Sequence, residues 1–134
     1  MRSTVNTMKK IVFALALLAS TISVAHEMVP TYPKWKPSGL YNGVVTTTIE
    51  IFNKRSDVEY YEIGVFDRDW QPLYFVADYK VIRLKYLASA SIDVYISKEN
   101  RDRAEYICSR SKIRKGEESR TAVSSRICSR FKKE

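Results

Sequence analysis

Apolar and polar residues alternate with period two through most of the chain from Val44 onward. In VVTTTIEIFN, Val45, Thr47, Ile49 and Ile51 share one side, with Thr46, Thr48 and Glu50 on the other. VEYYEIGVFD repeats the pattern with Tyr61, Ile63 and Val65, and SIDVYIS does so with Ile92, Val94 and Ile96 against Asp93 and Tyr95. β-Branched and aromatic residues at alternate positions describe half-buried strands. LYFVADY, YKVIRLKYL, AEYICSRSKI and TAVSSRICSRF predict four more, with Ile82 and Leu84 inward and Arg83 and Lys85 outward in the second of these. NKRSD and DRDWQP read as polar turns, KENRDR as a charged loop with room for one helical turn, and IRKGEESR as a hairpin-like connection around Gly116. About seven short strands with a turn signal every eight to twelve residues, and no amphipathic helix, predict an all-β sandwich of immunoglobulin-like type. A small barrel is the alternative.

The two ends differ from this middle. MRSTVNTMKK leads into the apolar run IVFALALLAS, and Ser23-Val24-Ala25 supplies small residues for a cut. That is the layout of a secretory signal peptide over residues 1–25, cleaved after Ala25, and it predicts a periplasmic or extracellular protein. No later stretch is apolar for long enough to span a membrane. HEMVPTYPKWKPS, residues 26–38, has three prolines that forbid a helix. It reads as an extended arm, with Trp35 laid on the surface of a single domain over 39–134.

Export decides how the two cysteines are read. Both lie in copies of one tetrapeptide, ICSR, at Cys108 and Cys128. In an oxidising compartment a disulfide is the default state. Alternation puts Tyr106, Cys108 and Arg110 on one face of the penultimate strand, and Arg126, Cys128 and Arg130 on one face of the last. The opposite faces carry Ile107, Ser109 and Ile113, and Val123, Ile127 and Phe131. Antiparallel neighbours would therefore join their sulfurs on the solvent side, clipping the last strand to its neighbour within one sheet.

Charge adds a direction. The formal net charge is +8, and residues 101–134 hold 11 basic and 5 acidic residues. This basic third suits an acidic partner, lipid headgroups or a solvated face; export disfavours nucleic acid. Nine tyrosines, with Tyr60 and Tyr95 on outward faces, suit a protein interface. His26 would open the mature chain, where an amine and an imidazole can bind copper, but such sites need a second His and the chain has one. A solvent-exposed terminus is the plainer reading. Asp57, Glu59, Asp67 and Asp69 read as turn residues. With no catalytic triad, no G-x-S-x-G and no glycine-rich phosphate loop, neither an enzyme nor a cofactor is expected.

The run from TTTIEIFNKRSDVEYYEIGVFDRDWQPL through VIRLKYLASASIDVYI to ENRDRAEYICSRSKI resembles the N-terminal immunoglobulin-like domain of periplasmic pilus-assembly (PapD-like) chaperones. The shared features are a strand ending in Asn, a polar turn, a strand of aromatic and aliphatic residues, an Arg-Leu pair at Arg83-Leu84, a strand like Ser91–Val94, and an Asp-Arg pair at Asp102-Arg103. GLYNG at Gly39–Gly43 stands where that family's first strand ends, and the resemblance covers residues 39–131. It implies a chaperone that lends the last strand of this domain to a pilus subunit, a form of β-strand addition, with two basic residues holding the subunit's carboxylate. Those positions fall here beside Ser38, with Lys36 close by, and near Cys128, flanked by Arg126 and Arg130. The outward series Ser124, Arg126, Cys128 and Arg130 replaces the family's large aliphatics, and the chain ends where a second domain would begin.

Together these readings predict an exported binding module for a pilus or secretion-apparatus subunit, contacting it through Arg110, Lys112, Arg126, Arg130 and Lys36. The alternative is a secreted binder of an acidic glycan, or of a metal at His26.

Overall fold

The computed structural model describes residues 2–18, 25–113 and 123–133. Helix α1 (Arg2–Leu18) takes in residues 11–18 of the apolar run of the expected signal segment, and no helix among the described residues is long and apolar enough to cross a membrane. After it come β1 (Glu27–Val29), β2 (Lys36–Pro37), β3 (Val44–Phe52), β4 (Tyr60–Phe66), β5 (Val76–Ala77), β6 (Val81–Arg83), β7 (Ser89–Ser97), β8 (Tyr106–Lys112) and β9 (Arg126–Arg130). A 3-10 turn at Lys98–Asn100 fills the charged loop, where Ser97 Oγ accepts from the Glu99 amide.

The strands form two antiparallel sheets. One has the order β1-β3-β7-β5, with β2 also pairing on β3; the other runs β6-β4-β8-β9. Alternation places the inner faces as predicted. Ile49, Ile51, Tyr61, Val65, Val94 and Ile107 are fully buried between the sheets, and burying side chains of this size stabilises by roughly 1.5–3 kcal/mol each. The result is an all-β immunoglobulin-like sandwich.

Several expectations need correction. The 26–38 arm is not a lead-in but a broken edge strand: Glu27 pairs with Phe52 and Lys36 with Thr46, so β1 and β2 hold the two ends of β3. Between them the arm crosses to the other sheet, where the Pro33 carbonyl accepts from the Lys132 amide at 2.9 Å. Trp35 is accordingly buried rather than laid on the surface, stacked on Phe131 at 4.4 Å. LYFVADY and YKVIRLKYL shrink to β5, two residues, and β6, three residues, because alternation continues past the point where a neighbour is available to pair. The last strand is Arg126–Arg130, so Val123 and Ile113 are exposed instead of inward. Most of the hairpin-like connection, 114–120, lies outside the described residues.

Candidate functional site

Cys108 and Cys128 are directly paired across β8 and β9 and joined by a disulfide, with Cα atoms 4.1 Å apart. So close an approach marks a non-hydrogen-bonded antiparallel pair. The flanking bonds agree: the Ser111 amide donates to Ser125 and the Phe131 amide to Glu105. Odd positions of β9 therefore point their main-chain groups at β8. The N–H and C=O groups of Arg126, Cys128 and Arg130 point the other way, and no described strand pairs there. This row, stapled to its neighbour by sulfur, has no strand bonded to it, although β1 lies beside β9 and the next outward amide, that of Lys132, is taken by Pro33 of the arm.

The bridge lies on the outer face as the alternation requires, but it is not simply wet. Cys128 is exposed, whereas Cys108 is covered, at 2% exposure. The cover comes from side chains that sequence spacing does not bring together. Asp67 Oδ1 accepts from the amides of Asp69 and Gln71, both at 2.9 Å, fixing a tight turn in which Trp70 takes φ 61°. That left-handed backbone is unusual for a bulky residue and is held here by the aspartate. It lays the indole flat on Tyr106, 4.1 Å away with 3° between the planes. The Arg126 guanidinium then rests 4.8 Å from the Phe66 ring and 4.9 Å from Trp70, within 3.7 Å of Cys108 Sγ.

Beside this cluster the outer face opens into a groove of about 540 Å³. Its floor is Gly64 and Cys108, its apolar wall Phe66, Pro72 and Phe75, and its cations are Lys80, Arg110, Lys112 and Arg126. Glu62 is its one carboxylate, in contact with Lys112 and 3.8 Å from Arg110. Lys80 lies over Phe75, 4.8 Å from the ring centre.

Of the five cations predicted to contact a partner, four share this sheet. Arg110, Lys112 and Arg126 face the groove. Arg130 turns to Glu105 at 2.8 Å, and the Lys133 bond, with help from Arg130, holds that carboxyl below its ordinary range. Lys36 does not join them: β2 places it on the other sheet, with Tyr32 and Thr46 around a smaller cleft of about 300 Å³.

His26 is the clearest reversal. Its ring is 1% exposed, 4.5 Å from Tyr61. Nε2 lies 3.2 Å from the Ser109 carbonyl and 2.8 Å from its hydroxyl, so it carries the proton and donates. Nδ1 accepts from Ser125 Oγ at 3.0 Å, and Arg55 Nη1 donates to that same oxygen at 3.1 Å. Both nitrogens are engaged, which removes the geometry of a terminal copper site and of an exposed terminus alike; among the described residues no three metal-binding side chains cluster. Burial lowers the imidazole pKa, the Ser109 carbonyl works against this, and nearby Arg55 adds to it. Arg55 is paired with Asp57 at 2.8 Å, which raises its own pKa. The network ends on Asn53, which donates to Val58 and Leu84 and accepts from the Arg55 amide and, at 2.6 Å, from Tyr61. Burial pushes the Tyr61 phenol up to about 12.

No family model and no curated protein matches this chain. Among solved structures, it is similar to the E. coli chaperone DraB, with TM-score 0.60 and 14% identity over 80% of this chain and 53% of that one. It is also similar to the periplasmic chaperone SfaE, with TM-score 0.50 and 13% identity over 80% of this chain and 56% of that one. The chain spans about half the length of either chaperone. At such identities the likeness is one of fold, and it agrees with the resemblance read from the sequence.

Proposed function

We propose that this chain is an exported protein-binding module that captures a partner along the free edge of β9, as a chaperone-like component in building a surface appendage or secretion apparatus. The observation that carries the reading is the orientation of β9. Its unpaired N–H and C=O groups at Arg126, Cys128 and Arg130 present a template for one more strand. The disulfide keeps that edge straight and seated. Fold likeness to two chaperones supports the reading, and the signal-like N-terminus supports export to a periplasmic or extracellular space. Arg130 and Arg126 flank the edge and favour an acidic strand; Arg110 and Lys112 extend the same basic surface.

Purification at native expression, with identification of what accompanies the protein, supplies the partner. Arg130→Pro then removes one outward N–H without touching the β8–β9 ladder, and Arg126→Glu/Arg130→Glu reverses the flanking charge. Capture should fall in both variants while thermal melting stays cooperative. Capture that is unchanged in both sinks the reading.

A further inference from the structure

The outer-face groove carries an inference separate from the strand edge. We infer that it binds an acidic sugar unit, a hydroxylated ring bearing one carboxylate. Two of its cations are uncommitted: no carboxylate among the described residues pairs with Lys80 or Arg126. Both are instead held by aromatic rings, Lys80 over Phe75 and Arg126 over Phe66 and Trp70. Such stacking pre-positions a cation while leaving its hydrogen-bond donors available. The two come from different elements, Lys80 beside β6 and Arg126 on the far edge strand, and both line the groove.

The lining between them is amphipathic. Phe66 and Pro72 offer apolar surface to the C–H face of a ring, and Glu62 offers an acceptor to its hydroxyls. Gly64 is what keeps the space open. A Cβ there would lie 2.7 Å from Phe66 Cε2, so any side chain would displace the ring that forms the wall. The volume falls within the usual range for small-ligand sites.

A sugar fits better than an extended peptide because of where the groove sits. β4 is paired with β8 at every position from Tyr60 to Phe66. The floor therefore has no spare main-chain groups for a strand to use, and recognition falls to side chains. This inference does not depend on capture at the β9 edge: Lys80 is remote from that edge, and Arg130 is not part of the groove lining.

The test titrates the purified protein with oligogalacturonate, a neutral galacto-oligosaccharide and polyglutamate, following backbone amide shifts at low and high salt. Oligogalacturonate should shift Gly64, Phe66 and Lys80, weaken with salt, and lose about tenfold in affinity in Lys80→Ala, as removal of one charged hydrogen bond predicts. The neutral sugar should not bind. Gly64→Val should abolish the shifts, with melting as the check on folding; Lys80→Ala, at an exposed site, keeps the test decisive if the valine variant fails to fold. Absent shifts, equal binding of polyglutamate, or affinity unchanged in Lys80→Ala would each overturn the assignment.

Discussion

The two sheets share one core yet turn opposite surfaces to solvent. Outside β3 and β7 most side chains are short and hydroxylated or acidic, Thr46, Thr48, Glu50, Ser91 and Asp93 among them, with Phe52 and Tyr95 the aromatic exceptions. Their ties are light, such as the Thr48 hydroxyl donating to Asp93 at 2.5 Å. Outside β4, β8 and β9 lie Phe66, Tyr106, Arg110, Lys112 and Arg126 around a disulfide, with a groove among them. A sandwich needs only its inner faces to fold, and both sheets meet that need equally. The surplus of aromatic, cationic and sulfur chemistry on one outer face is therefore where binding is to be sought.

The largest effect should come from the sulfurs. Cys108→Ser/Cys128→Ser opens a loop of 20 residues and should cost about 3 kcal/mol of stability in denaturant unfolding, by the chain-entropy relation. A loss under about 1 kcal/mol would mean that the staple does not distinguish the two sheets. Gly64→Val comes next. Crowding Phe66 should cost about 1–3 kcal/mol, and a stability at or above wild type would show that the groove floor tolerates filling.

The third prediction concerns pH. The His26 imidazole is held neutral when folded and titrates near 6.5 when unfolded. Above 6.5 neither state gains a proton there, so its contribution is fully present. As pH falls from 6.5 toward the lowered folded value, the unfolded state binds a proton that the native state resists, and stability declines. Melting temperature should drop on acidification through this window, and His26→Gln should flatten that part of the profile; an unchanged profile would break the link between His26 and the start of β9. Smallest is Thr48→Ala, which removes an exposed hydrogen bond on the quiet sheet and should cost less than about 1 kcal/mol.

Much of the sandwich was legible because alternation reports burial directly. Ile49, Ile51, Tyr61, Ile63, Val94 and Ile96 face inward as their spacing requires. The cysteine pairing was legible for the same reason, since Cys108 and Cys128 occupy equivalent faces of adjacent strands. What escaped depends on contacts distant in the chain. The prolines exclude a helix from the arm without announcing strands, because the partners of β1 and β2 on β3 lie between 8 and 25 residues away. His26 looked terminal because Ser109 and Ser125, which bury it, are 83 and 99 residues downstream. The cover over Cys108 depends on Trp70 taking a left-handed turn, and the groove on a glycine that looks like any strand position. The one sequence hint was DRDWQP, where an aspartate precedes an aromatic residue in a turn.

Pro33 and Lys132 meet across nearly the whole chain, and Trp35 rests on Phe131 beside them. A polypeptide that emerges amino end first, from a ribosome or through a translocation pore, can pair its opening segment with β3 early, but the contacts of Pro33 and Trp35 wait until the chain beyond β9 is delivered. Contacts of such sequence span form late and slowly, so the half-delivered chain stays unlocked and threadable. Closure then arrives with β9, whose outward main-chain groups from Arg126 to Arg130 no described strand pairs.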